Sequence, residues 1–166
     1  MSLMSEPLHA FRFQVDFHEQ LLGGQDGGRV PLCSGAFAEC SGLEASMEPK
    51  VIREGGRNWG AVQRMGAVSF ATVILKRGLT RSDHLWAWFS LVGEGAYAHR
   101  LEVTITQFDA SGQGLFSWTL RQALPVKFKA PDLNARAGEV AIEELHLAHE
   151  GLARVAPLVA APGEHP

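Results

Sequence analysis

From Phe11 to Phe17 apolar and polar residues alternate without a break: Phe11, Phe13, Val15 and Phe17 fall on one side, Arg12, Gln14 and Asp16 on the other. Successive side chains leave a pleated backbone on opposite sides, so this period of two is a strand with one buried face and one wet face. The pattern returns later in the chain. Leu101, Val103 and Ile105 alternate with Glu102, Thr104 and Thr106, and Phe116, Trp118 and Leu120 share a face beyond the turn residues Asp109 to Gly114. Two such runs joined by a short polar turn predict a hairpin. The 18 glycines and 8 prolines lie between the apolar runs and not in one block, as turns between many short strands require.

The remaining segments fit a β-rich chain with one helix. Phe37 to Glu54 and Met65 to Lys76 read as strands flanking the turn residues Gly55, Gly56, Arg57 and Asn58. The second of these sets Val68, Phe70, Thr72 and Ile74 on one face, and together they predict a long hairpin or extended loop. Gly23 to Gly28 reads as a loop tip, and Pro125 as the start or edge of a short strand through Val126 and Phe128. Pro131 to Gly138 reads as a loop. Val140 and Ile142 alternate before Leu145 and Leu147 take the opposite face, which predicts a bulged strand over Val140 to His149, with a helix as the alternative. A helical period runs from Ser82 to Val92, where Leu85, Trp86, Trp88, Phe89 and Val92 make one apolar stripe. Thr80 and Asp83 have the spacing of a capping box, and Gly93 stands where a helix stops. Two tryptophans on one stripe demand a partner, so this helix is expected to pack on a sheet through Leu85, Trp86, Trp88 and Phe89.

Length and charge narrow the function. A chain of 166 residues suits one domain, expected over residues 1–155 with a loop extension at 20–34 and a flexible tail at 156–166. It can bury roughly 70% of the surface its unfolded form exposes, enough to fold without a metal or disulfide. An apolar content of 46% excludes wholesale disorder. The net charge of −3, from 15 Lys+Arg and 18 Asp+Glu, argues against a dedicated nucleic-acid binder. Residues 1–13 carry neither a basic n-region nor an apolar core, so no signal peptide is expected and synthesis is placed in the cytoplasm. The longest run of large apolar residues, Leu85 to Phe89, is far too short to span a membrane.

Motifs for chemistry are weak. Cys33 and Cys40 fit neither a C-x-x-C pair nor a zinc knuckle and read as small buried residues. His146 and His149, with Glu143 and Glu150 nearby, are the best metal candidates, but residues three apart on a strand face opposite ways. Gly23 to Gly28 lacks the Gly-Lys-Ser/Thr ending of a phosphate-binding loop, and no G-x-S-x-G elbow occurs. Trp86, Trp88 and Trp118 lie on apolar stripes and read as packing residues rather than stacking platforms. No catalytic residue, cofactor or metal is expected. A metal-dependent hydrolase or cargo enzyme using His146 and His149, and a small-ligand barrel, stand as the competing readings.

Three blocks, in order, carry a family resemblance. The first is Arg53-Glu54-Gly55-Gly56 with Asn58. The second is Leu75-Lys76-Arg77-Gly78-Leu79-Thr80 running into Asp83 and Leu85-Trp86-Ala87-Trp88. The third joins Trp118, Ala123, Pro125 and Lys127 to Pro131-Asp132-Leu133, Ala135, Val140-Ala141-Ile142-Glu143 and Leu147-Ala148-His149-Glu150-Gly151-Leu152. Over residues 8–153 the chain resembles the tail tube proteins of contractile-tailed phages and of phage-derived contractile injection systems. That resemblance implies a mainly β fold, a β-barrel or β-sandwich of two packed antiparallel sheets with one flanking α-helix. It implies hexameric rings that stack into a hollow tube inside a sheath, a baseplate and spike below, a terminator cap above, and cargo in the lumen. It also implies that the hairpin tip, Arg53, Glu54, Gly55, Gly56 and Asn58, meets another subunit, with Arg53 and Glu54 pairing across that contact. The Gly23 to Ser34 loop and the tail after Val155 are longer than the family pattern. Such additions suit a tube-initiating or baseplate adaptor ring, an alternative within the same class, or a tube subunit with extra inter-ring or sheath contacts; functionless padding is the other reading.

Overall fold

The computed structural model describes residues 12–20, 26–30, 37–53, 55–56, 60, 62–95, 100–136 and 138–156. Ten strands and one helix follow in the order β1 (Arg12–Gln20), β2 (Asp26–Val30), β3 (Glu39–Ser41), β4 (Ala45–Ile52), β5 (Val62–Phe70), β6 (Val73–Gly78), α1 (His84–Gly93), β7 (Leu101–Phe108), β8 (Gly114–Lys129), β9 (Ile142–Ala148) and β10 (Gly151–Val155). Every pairing is antiparallel. Eight strands form one hydrogen-bonded path, β2-β1-β7-β8-β9-β6-β3, with β10 beside β8, and β4-β5 stand apart as a two-stranded ribbon.

The path bends at β8 into two sheets. The first half of this 16-residue strand pairs with β7 and β10, the second half with β9. Two residues of β8, Arg121 and Gln122, lie between the pairs Val103–Leu120 and Leu101–Ala123, and Gln122 takes φ +52°. An extra residue in one strand kinks it and raises its twist. The inner faces of the two sheets then meet: Val15, Phe17, Leu101, Val103, Ile105, Leu120 and Ala123 from one side, Val73, Leu75, Leu145 and Leu147 from the other, all in one core. A fully buried residue of this kind contributes about 1.5–3 kcal/mol each over its exposed state. This is the mainly β fold of two antiparallel sheets with one helix that the sequence implied.

Several local expectations change. Asp26–Val30, read as part of a loop, is a strand opposite β1, with Val30 across from Phe17 and Arg29 across from His18; β1 offers a free edge, and pairing overrides the poor strand propensity of glycine. Residues 21–25 and 31–36, with Cys33, lie outside the described residues, as do 157–166 of the expected tail. β8 runs straight through Pro125, which was expected to begin or edge a separate strand. The bulge expected in the Val140 to His149 segment sits in the partner strand instead, where Val126 is extra between the pairs Pro125–Leu147 and Lys127–His146.

The helix begins two residues later than expected, at His84. Its N-cap Asp83 makes no side-chain cap bond, and Thr80 Oγ1 accepts from the Ser82 N–H at 3.3 Å, so the capping box is absent. Leu85, Trp88 and Val92 enter the core, and the Trp88 indole meets the Phe17 ring edge-on at 5.8 Å. Trp86 departs from the expected buried stripe. It is 51% exposed, stacked on Phe89 at 5.7 Å and edge-on to Phe128 at 5.4 Å.

Candidate assembly interface

Among the elements whose burial is described, the ribbon β4-β5 is the most exposed. Every residue of β4 is exposed, and so are Gln63, Arg64, Met65, Ala67, Val68 and Ser69 of β5. Its register sorts the two faces. Ala45 opposite Phe70, Met47 opposite Val68, Pro49 opposite Met65 and Val51 opposite Gln63 give one face that is almost wholly apolar. Ser46 opposite Ser69, Lys50 opposite Arg64 and Ile52 opposite Val62 give the other. The Ser46 and Ser69 hydroxyls bond at 3.0 Å, whereas Lys50 and Arg64 place like charges directly across from each other. Isolated two-stranded ribbons are marginal in water, and cross-strand like charges weaken them further. An apolar face with Met65 at 80% exposure marks a surface meant to be covered.

Glycines set the ribbon's shape and stance. Pairing of its two strands resumes, shifted by one residue, past a bulge at Gly66, where a Cβ would lie 2.2 Å from the Glu48 carbonyl oxygen. At the root, Gly42 has φ +85° and a Cβ there would meet the Thr72 carbonyl oxygen at 2.1 Å. Both obstacles are backbone, so only glycine fits either position. The Ala71 N–H donates to the Glu44 carbonyl at 3.1 Å, and the Phe70 ring lies 5.1 Å from the His149 ring, closing the root against the body.

The expected hairpin is therefore divided. Residues 39–41 and 73–78 belong to the second sheet, and only 45–52 and 62–70 project. Ile74 does not extend the Val68 and Phe70 face, because the chain breaks pairing at Ala71 and Thr72. At the tip Arg53, Gly55 and Gly56 are exposed, while Glu54 and Asn58 lie outside the described residues.

The outer faces of the two sheets differ in chemistry. On the first, register lines up Gln14, Thr106 and Ser117, then Asp16, Thr104 and Thr119, a surface of hydroxyls with one amide and one carboxylate. On the second, Glu39, Lys76, Glu144 and Lys129 form one row across β3, β6, β9 and β8. Lys76 Nζ lies 3.2 Å from Glu39 Oε1. The hydrogen bond from His146, aided by Lys129 and Lys76, holds the Glu144 carboxyl below its ordinary range. Residues 131–135 and 139–142 line, together with this row, an open groove of about 700 Å³.

Beneath this face lies an Arg77–Glu143 ion pair that has no signature in the sequence pattern. The two are directly opposite in the β6-β9 register and only 2% and 4% exposed. Arg77 Nε donates to Glu143 Oε1, Arg77 Nη2 donates to the Ser82 carbonyl at 3.4 Å, and the guanidinium lies 5.8 Å from the Phe37 ring centre. Charged residues inside a strand's polar alternation read as outward until the register is known.

The two histidines do not converge. His146 Nε2 lies 3.2 Å from Glu144 Oε2 on the outer face, while His149 Nδ1 donates to the Gly151 carbonyl at 3.0 Å beside the ribbon root. Among the described residues no three His, Cys, Asp or Glu side chains gather to hold a metal ion. Cys40 is a free thiol packed against the core, and burial pushes its pKa up to about 11. Among the described residues no helix is long and apolar enough to cross a membrane.

The model of the T4-like virus tail tube protein gp19 family matches residues 9–153. A chain of the 6-fold symmetrised anti-feeding prophage baseplate superposes with a TM-score of 0.74 at 27% identity, covering 92% of this chain and 98% of that one. A chain of the sheath-tube complex of an extracellular contractile injection system (PVC), in its extended state, gives 0.74 at 20% identity over 93% and 95%. A chain of the anti-feeding prophage tube-terminating cap gives 0.73 at 19% identity over 95% and 100%. No curated protein matches the chain.

Proposed function

The chain belongs to the T4-like tail tube protein family, and from that premise we propose that it builds the inner tube of a contractile injection particle as six-membered rings stacked end to end. The observation that carries this reading is the β4-β5 ribbon, whose two faces are exposed in the single chain although one of them is almost entirely apolar. A neighbouring subunit supplies the cover it lacks. Edge strands β2 and β10 of the first sheet are left with one unpaired side each among the described residues, and pairing them between neighbours removes an exposed edge that otherwise invites aggregation. Head-to-tail stacking of such rings extends without closing, which is what a tube requires.

The role is structural and needs no catalysis. The hairpin tip, Arg53, Glu54, Gly55, Gly56 and Asn58, sits at the contact with another subunit, and the helix residues Leu85 and Trp88 hold the domain rigid behind it. The relatives named above come from a baseplate, a sheath-tube complex and a terminating cap, which supports sheath, baseplate and cap proteins as partners. The subunit is made in the bacterial cytoplasm and resides in the assembled particle. Negative-stain microscopy of the purified chain over a concentration series tests the reading: rings or tubes are expected, and a strict monomer at every concentration refutes it.

A tube-initiating ring at the baseplate is the second reading, supported by the higher identity to the baseplate chain, 27% against 20% for the sheath-tube chain. Copy number per particle separates them. Many rings mark a tube subunit, and a single ring marks an initiator.

A further inference from the structure

We infer that the basic face of the ribbon docks in the groove lined by residues 131–135 and 139–142 of a second copy of this chain. The inference rests on the tube reading and names the surface that receives the ribbon. Residues 45–70 contain Lys50, Arg53, Arg57 and Arg64 but only two acids, Glu48 and Glu54, a net of +2 in a chain of −3, which leaves −5 for the remainder. The chain is thus a basic arm on an acidic body. Toward the tip, one ribbon face presents Lys50 and Arg64 side by side with Ile52 opposite Val62 beyond them, and Glu48 on the same face nearer the root leaves it a net of +1. Neither cation has an acidic partner among the described residues, and both are exposed.

The groove carries the complement. Its floor acids Glu39 and Glu144 are matched by Lys76 and Lys129 in the charge row, so that row is already neutral. The loop adds Asp132 and Glu139 to the lining, with no described cation in an ion pair with either, while the exposed Arg136 of the same loop does not line the groove. Beside them stand aliphatic side chains left in water: Leu133 at 93% exposure, Val140 at 78%, and Ile142. Two carboxylates with three aliphatics face two cations with two aliphatics. Opposite potentials steer encounter and fix register, while like charges at the same contact are costly. Within one chain the two surfaces do not meet, since every β4 residue is exposed, so the occupant is another copy.

A charge swap tests the pairing. Three full-length proteins are compared with the wild type by sedimentation velocity and negative stain: Lys50→Glu with Arg64→Glu, Asp132→Lys with Glu139→Lys, and all four together. Each two-site variant is expected to raise the concentration for half-assembly by about tenfold or more, and the four-site variant to bring it back to within about threefold of wild type. All four substituted positions are solvent-exposed, and unchanged circular dichroism confirms that the fold survives. Loss on the ribbon side with full assembly on the groove side overturns the pairing but leaves the tube reading intact. Failure of the four-site variant to recover overturns the pairing as well. A wild-type chain that never assembles refutes the tube reading itself.

Discussion

The Arg77–Glu143 pair gives a sharp thermodynamic test of how this core tolerates charge. Both groups are at least 96% shielded from solvent, at 2% and 4% exposure, and each is the other's ionic partner. Removing one strands the other, and breaking a buried pair in this way costs about 3–5 kcal/mol. Arg77→Met and Glu143→Leu alone are each expected to fall in that range. For a chain of this size 1 kcal/mol corresponds to about 2–4 °C, so each single variant melts roughly 6–20 °C lower. The double variant removes both desolvation penalties together and leaves two apolar side chains on a face shared with Leu75, Leu145 and Leu147. It still forfeits the Arg77 bond to the Ser82 carbonyl and the guanidinium contact with Phe37, together about 1–2 kcal/mol. The double variant should therefore be more stable than either single one. Urea unfolding of all four proteins, followed by tryptophan fluorescence at a concentration below assembly, measures this cycle. Simple addition of the two single losses refutes the argument, because it means the two charges do not depend on each other.

Two further outcomes follow from the root of the ribbon and from the core. Gly42→Ala forces a side chain onto a residue at φ +85° and against the Thr72 carbonyl; a loss of about 2–4 kcal/mol in urea unfolding is expected, and a loss under 0.5 kcal/mol would show that the root adjusts freely. In a Cys33→Ser background, Cys40, with its pKa pushed up to about 11, is roughly one part in a thousand thiolate at pH 8, so alkylation should be slow in the folded chain and fast in urea; equal rates in both states count against its burial.

How much of this was legible beforehand depends on whether a residue's partner mattered. β1, β7 and the first half of β8 could be read directly, because each buries one face and wets the other, and Val15, Phe17, Val103, Ile105 and Leu120 all lie on the face that alternation selects. β2 could not be read, since Asp26-Gly27-Gly28-Arg29-Val30 has no periodicity and owes its state to the edge of β1. The continuity of β8 was hidden by Pro125, which is tolerated where the ladder to β9 is already interrupted by Val126. The assembly surface was half visible. Its turn was marked by Gly55 and Gly56, but the division into an apolar and a basic face needs the register across the Gly66 bulge. Arg77 and the Glu39-Lys76-Glu144-Lys129 row likewise exist only as cross-strand neighbours. The helix stripe misled on Trp86 because a stripe wider than the contact leaves its outermost member outside.

The sixteen residues of β8 have a mechanical consequence. A tube subunit transmits thrust, and two sheets joined only by side-chain packing would offer a plane along which they could slide. Here one unbroken backbone belongs to both, so load entering one sheet reaches the other through covalent bonds. The kink at Gln122 is then the corner of a rigid bracket, with β9 and β10 running back along its length as bracing. Failure under force should begin at the two-stranded ribbon, whose hold on the body is a short root, and leave the bracket whole.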